Sequence, residues 1–379
     1  MPVEWSEVRE DFPALQGFVY LNAAAASPIP RPVTEAVTTY YRDLGQSGDL
    51  LWDEWLEQRE RARASVAKLI NADPDEIAFV ANTSAGINAI VDLIGKDGPV
   101  LSDELEFPTV TLPWLHRGIP VHLVPAIEGV LRLEQFQAEY APRASTLAVS
   151  HVQFSNGCRQ DLGAFGEVKG DRNLVVCASQ SMGAFPVDVK ESRIDALASA
   201  GHKWMCAGYG AGFVYIKKEL IEKHPPHGIG WLSVEDPYKF DIMNFETLKS
   251  NRRIEAGCPA FASVFALEAA ANYLMGLDLE AIAERVLYLN EYLTFRLERR
   301  DFTILSPGGE YRSGQTLCAV AEPEKAVEFL KEKGILVTCK PEGVRIATHF
   351  YNSEDDIETC VAALTDWARD HPLEEFTEG

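Results

Sequence analysis

The run from Val175 to Trp204, VVCASQSMGAFPVDVKESRIDALASAGHKW, constrains the fold more than any other stretch. Val175 and Val176 close an apolar segment, and Cys177, Ser179 and Gln180 follow at its end. A second short strand is expected at Asp195–Leu197, with Ala200-Gly201-His202-Lys203-Trp204 after it. Short apolar segments that end in polar residues fit parallel strands buried on both faces, which take ligands at their carboxyl ends. The segment is therefore expected to aim Cys177, Gln180, His202 and Lys203 at one crevice.

The rest of the chain repeats the alternation. Apolar residues at helical spacing predict helices over Pro32–Leu44, Trp52–Ile70, Ile87–Ile94, Leu133–Tyr140, Phe261–Leu274, Leu279–Arg300 and Lys325–Lys333, with a short one in residues 1–15. Strands are expected at Glu76–Ala81, Pro99–Leu101, Val121–Pro125, Thr146–Val152 and Gly208–Ile216. Further strands are expected at Phe302–Leu305, Gln315–Val320 and Ile335–Cys339. Such alternation predicts an α/β fold with a mainly parallel sheet. At 379 residues the chain exceeds one ordinary domain, and its last quarter reads as a smaller α/β domain.

The net charge of −22 argues against a nucleic-acid partner or an anionic membrane surface, either of which needs clustered Lys and Arg. No long apolar segment predicts a membrane span, and the acidic amphipathic start does not read as a signal peptide. The seven cysteines are odd in number, widely spaced and without a CxxC pair, so neither a disulfide framework nor a metal site is expected. These features predict a cytoplasmic protein. His151 reads as a satisfied strand histidine. The glycines of Gly208–Ile216 read as packing residues, because no helix follows them as a GxGxxG motif requires.

Two features carry chemistry. Asn82-Thr83-Ser84-Ala85-Gly86, between a strand and a helix, predicts an anion site of free N–H groups and hydroxyls. Lys203, beside small and apolar residues, is the kind of amine that links covalently to pyridoxal phosphate.

Taken in order, these pieces resemble the class V aminotransferase family, the fold-type I pyridoxal-phosphate enzymes that include cysteine desulfurases and isopenicillin-N-epimerase-like proteins. The resemblance runs nearly end to end. It rests on Gln180, His202-Lys203-Trp204, Glu106-Phe107 through Pro113-Trp114, and the Arg345 strand continuing into Tyr351-Asn352. It implies a large cofactor domain over 16–275, a small C-terminal domain over 276–379, and residues 1–15 packed on the small domain.

The resemblance also implies residue roles. Lys203 carries pyridoxal phosphate, with His202 beside it and Gln180 positioning the ring oxygen. Thr83 and Ser84 take the phosphate, and Phe107 stacks on the ring. Arg345 takes the substrate α-carboxylate. Asn156 or Gln153 lies near the ring hydroxyl or the substrate, and Ala24 with Ala25 lines the cleft or simply packs. Cys177 stands where the family has the aspartate that keeps the ring nitrogen protonated. Cys258 stands where a threonine reaches the neighbouring subunit's phosphate, so a homodimer is expected. The activity implied is chemistry at the α-carbon of an amino acid, C–S lyase or desulfurase-like or epimerase-like. A true aminotransferase is the alternative, and a noncatalytic or impaired protein a further one because of Cys177. Cys339, at a strand end, is a less favoured persulfide carrier.

Overall fold

The structure, a computed structural model, describes residues 3–137, 143–226 and 228–373. Its strands in chain order are β1 (Val19–Tyr20), β2 (Ile77–Val80), β3 (Val100–Asp103), β4 (Val121–Val124), β5 (Thr146–Ser150) and β6 (Asn173–Cys177). They continue with β7 (Ala196–Ala200), β8 (Gly212–Ile216), β9 (Gln315–Ala319), β10 (Ile335–Leu336), β11 (Thr338–Lys340) and β12 (Gly343–Ala347). Seven of them form the main sheet in the order β2-β8-β7-β6-β5-β3-β4. Only β8 runs against its neighbours; the other pairings in this sheet are parallel. Strands β5, β7 and β8 are buried at every residue, as strands covered on both faces must be.

Small residues bring the helix Thr83–Ile94 close to this sheet. A Cβ added at Gly86 would lie 2.8 Å from the Ala198 side chain on β7. That close approach fixes the start of the helix against the ends of β6 and β7.

Strands β11, β12 and β9 form a second, antiparallel sheet, and β1 pairs with β10 in parallel. Leu289, Leu293 and Leu297 from the helix Leu279–Glu298 pack there with Ile357, Val361 and Leu364 from the helix Glu354–Asp370. The chain start is tied to this region. Ala347 N–H donates to the Leu21 carbonyl at 2.8 Å, and Leu21 joins the same core. Earlier still, Arg9 pairs with Asp356 at 2.8 Å and Phe12 packs on Tyr351.

Some expectations change. Phe302–Leu305 shrinks to a single bridge of Ile304 with Cys318 along the free edge of β9, held by Leu305 N–H on the Leu317 carbonyl at 2.8 Å and Ala319 N–H on the Thr303 carbonyl at 2.9 Å. Ile335–Cys339 breaks at Val337, since β10 belongs with β1 and β11 with β12. Cys339 therefore sits inside β11 and not at a strand end. The glycine-rich strand starts at Gly212, after positive-φ turns at Gly208 and Gly210. The helix from Leu133 runs to Gln137; its expected continuation to Tyr140 lies outside the described residues. His151 follows β5 and is buried, but its Nδ1 has no partner. Among the described residues no helix is long and apolar enough to cross a membrane.

One buried ion pair holds the large sheet to its flanks. Arg63 is 1 % exposed and bonds both Glu255 oxygens, at 2.6 and 3.0 Å. It also donates to the Ile77 carbonyl at 2.7 Å, while Glu255 accepts from Phe79 N–H at 2.9 Å. Removing Arg63 leaves the Glu255 carboxylate, among the described residues, with only the more distant Arg59, at 3.9 Å. Arg63→Ala is expected to lower unfolding free energy by about 3–5 kcal/mol, read from urea denaturation.

Candidate active site

Strands β2, β3, β5, β6 and β7 run in one direction, so their carboxyl ends share one edge of the sheet. The residues just past those ends are Thr83, Glu106 with Phe107, Gln153 with Phe154, Ser179 with Gln180, and His202 with Lys203. From the second sheet, β12 brings Arg345 to the same place, where its Nη1 donates to the Phe154 carbonyl at 3.0 Å.

Lys203 and Arg345 are cations held out of water. Burial lowers the Lys203 pKa; Cys177 opposes the shift and Arg345 adds to it. Burial alone brings Arg345 down to about 10. Its Nε is buried without a partner, and among the described residues no carboxylate pairs with either cation. A buried cation costs free energy unless an anion meets it. An anion reaching the pair would offset that cost.

Gln180 is fixed from two sides. Its Nε2 donates to the Ala24 carbonyl at 2.9 Å, and its Oε1 accepts from Trp204 Nε1 at 2.9 Å. One N–H of the amide is left over. His349 locks the far side of the lysine loop, bonding the Trp204 carbonyl through Nε2 at 2.8 Å. Its Nδ1 accepts from Phe350 N–H, so the ring is neutral, and burial lowers its pKa to about 3. His202 stacks on Tyr209 with ring centroids 4.7 Å apart, and burial, then Lys203, lowers its pKa to about 4.

At the helix start, Asn82 caps the first turn by accepting from Ala85 N–H. Thr83 Oγ1 and Ser179 Oγ lie 2.5 Å apart, which joins this turn to the end of β6. The first N–H groups of a helix have no partner within it, so an acceptor is wanted here. Ser84 is exposed and bonds Thr109 at 2.7 Å. Phe107 is 48 % exposed, which excludes a core role, and meets Phe154 edge-on at 5.0 Å.

A buried carboxylate cluster adjoins Cys177. The register sets Ser150 opposite Cys177 across β5 and β6. Ser150 donates to Glu106 through its N–H and through Oγ, the latter at 2.6 Å. Gln153 Nε2 reaches Asp103 at 3.1 Å and Glu106 at 3.2 Å. Burial raises the Glu106 pKa, and Asp103 rises through burial and the Glu106 charge. The Cys177 thiol is likewise pushed up, by burial first and then by Glu106. At neutral pH Cys177 is a thiol.

Thr83, Phe107, Cys177, Gln180, His202, Lys203 and Arg345 thus gather at one sheet edge. The remaining candidates behave differently. Asn156 spends its amide on the Gly129 carbonyl at 2.7 Å and the Cys158 N–H at 3.0 Å. Ala24 is buried, with its carbonyl on Gln180. Cys258 is exposed, at the rim of a separate cleft with Ala81 and Gly210. Sequence reasoning did not single out Ser150, Asp103, Tyr209 or Lys340; only strand register reveals the first and last. Among the described residues no group of three or more His, Cys, Asp or Glu is placed to hold a metal.

The fold and this constellation of residues define a class. The family model for class-V aminotransferases matches residues 19–360, and the chain belongs to that family. An uncharacterised aminotransferase of Bacillus subtilis strain 168, YcbU, is 30% identical over 361 residues, covering 94% of this chain and 96% of that protein. A probable cysteine desulfurase of Pyrococcus abyssi is 28% identical over 389 residues, covering 94% and 96%. Among solved structures, the apo cysteine desulfurase of Thermococcus onnurineus NA1 superposes with a TM-score of 0.89 at 25% identity. That superposition covers 98% of this chain and 99% of the other.

Proposed function

We propose that the chain is a pyridoxal-phosphate enzyme that cleaves a carbon–sulfur bond of an amino acid. The observation that carries it is the buried pair Lys203 and Arg345, two cations without a carboxylate at the carboxyl ends of the strands. The residues fit the cofactor. Lys203 would supply the amine, the helix start at Thr83 would hold the phosphate, Gln180 would give its free N–H to the ring oxygen, and Phe107 would offer its exposed ring. When bound, the cofactor supplies a carbonyl for the amino group and a ring that stabilises negative charge at Cα.

In this reading the chain's own residues do the rest. Arg345 holds the α-carboxylate with two parallel hydrogen bonds. Lys203, its pKa lowered, moves the Cα proton. The sulfur leaves as a thiol, and water converts the remainder to pyruvate and ammonia. Cys339 does not serve as a persulfide carrier. It alternates along β11 with Thr338, which lies opposite Arg345, so its side chain faces the other way. Its neighbours there are Glu322–Lys325.

The reading includes a homodimer. Phe240, Ile242 and Met243 are exposed on one loop, at 69, 92 and 78 %, a patch suited to a second copy. It also includes a cytoplasmic location, where the free thiols stay reduced.

The test is the absorption spectrum of the purified protein before and after borohydride, followed by assays for pyruvate, sulfide and keto acids. Absence of a borohydride-sensitive band removes the cofactor and the function with it. A keto acid formed only when a second keto acid is added points to transamination, and α-hydrogen exchange without cleavage to epimerisation.

Cys177 limits the electron sink, because a neutral thiol cannot hold a ring nitrogen protonated as a carboxylate does. Cys177→Asp is expected to raise substrate α-hydrogen exchange roughly tenfold, about one pKa unit of charge stabilisation. The neighbouring Glu106 opposes a second carboxylate, so the gain grows when Glu106→Gln is added. Unchanged exchange in both variants overturns this account of Cys177.

A further inference from the structure

A third cation shares the cleft. Across β11 and β12, Thr338 lies opposite Arg345 and Lys340 opposite Gly343. Alternate residues of a strand share a face, so Lys340 stands on the face that carries Arg345. Phe154 holds both. Its carbonyl accepts from Arg345 at 3.0 Å, and the Lys340 amine lies 4.4 Å from its ring centroid. The hairpin has little freedom, because any side chain at Gly343 would collide with the Cys318 carbonyl.

Asp and Glu outnumber Lys and Arg 57 to 35 in this chain. Even so, among the described residues no carboxylate oxygen lies within 4.0 Å of Lys203, Arg345 or Lys340. Glu342, in the hairpin turn, is exposed and acts on Lys340 only at a distance. Burial and then Arg345 lower the Lys340 pKa to about 8, as expected for cations crowded without anions. In the reading above, Lys203 is engaged by the cofactor and Arg345 by the α-carboxylate. The phosphate meets the helix start. Lys340 is left without an anion.

We propose that Lys340 receives a second carboxylate, carried on the substrate's side chain, so that the enzyme selects α-amino acids with an anionic side chain over neutral ones of equal size. The proposal rests on the reading of Lys203 and Arg345 given above. Because Phe154 anchors both cations, the two carboxylates it accommodates belong to one short molecule.

The test uses the holoprotein and pairs of ligands that differ only in charge. S-carboxymethyl-cysteine is compared with S-carbamoylmethyl-cysteine for kcat/KM. Succinate is compared with its monoamide for binding by calorimetry, which needs no turnover. The acid is expected to be favoured roughly 10- to 100-fold in each pair, the range for a charge-assisted hydrogen bond. Lys340→Gln should bring both ratios to within about threefold of one, and Lys340→Arg should restore them. Equal handling of acid and amide by the wild-type protein, or ratios unmoved in Lys340→Gln, overturns the proposal while the cofactor reading stands. A protein without the borohydride-sensitive band loses both.

Discussion

Lys203→Ala is expected to yield a protein in which borohydride fixes no cofactor and in which turnover falls at least about a thousandfold. Two losses combine. The covalent anchor goes, and so does the group that moves the Cα proton, a contribution typically worth 10²–10⁴-fold. Burial makes this amine suitable for both tasks. It lowers the Lys203 pKa, so more of the amine is neutral at pH 7 than for a lysine in water. Arg345 pushes in the same direction. Lys203→Arg should fail as fully, because a guanidinium stays charged.

Stability provides the control. Lys203 has no carboxylate partner among the described residues, so its removal strands no buried charge. With both proteins stripped of cofactor, which would otherwise stabilise the wild type alone, the alanine variant should melt at or above the wild-type temperature. The measurement is the absorption spectrum after borohydride and gel filtration, with thermal melting alongside. A variant that still holds reduced cofactor covalently would move the anchor to another lysine, and Lys340 is the first to examine.

Lys203 and Gln180 were legible in the sequence because each follows a short apolar strand, and strand ends in a parallel sheet converge; Arg345, inside an antiparallel strand, was legible only through the resemblance its strand carries. Thr83 was legible for a similar local reason, as the first residue of a helix after a strand. Contacts set by register were not legible. Ser150 meets Glu106 beside Cys177 only because β5 pairs with β6 at Ser150 and Cys177. Nothing in either strand alone carries that information.

Loops misled in another way. Asn156 has the right chemistry for a ligand, but its own turn uses both ends of its amide. Composition gave Ile335–Cys339 as one strand, whereas two sheets divide it at Val337. That division makes Lys340 part of the hairpin with β12 and brings it to Arg345's face. Many of the helices and the main sheet's strands followed from periodicity; the helices Pro108–His116 and Glu354–Asp370 did not, and the second sheet depended on pairings between distant segments.

Arg345→Met is expected to move stability and activity in opposite directions. Arg345 is 5 % exposed and has no carboxylate partner, and burial holds its pKa at about 10, below the ordinary 12.5. A base whose pKa is depressed by folding penalises the folded state wherever it is charged. The penalty is fully present below about pH 10 and fades as pH rises toward the unfolded value. Methionine removes the charge, keeps apolar bulk, and gives up the bond to the Phe154 carbonyl, worth about 1 kcal/mol. The net gain at pH 7 is expected to be about 1–3 kcal/mol by urea unfolding, narrowing above pH 10. The same substitution takes away the planar, doubly bonded seat for a carboxylate. Affinity for amino acids should fall roughly 100- to 1,000-fold, the scale for truncating one side of a buried charge pair. Arg345→Lys should fall between, because a point charge keeps attraction without the fork. A methionine variant that is less stable and binds amino acids as before would make Arg345 a structural residue. The predicted pairing of higher stability with lost binding is what a cation kept free for an anionic ligand requires.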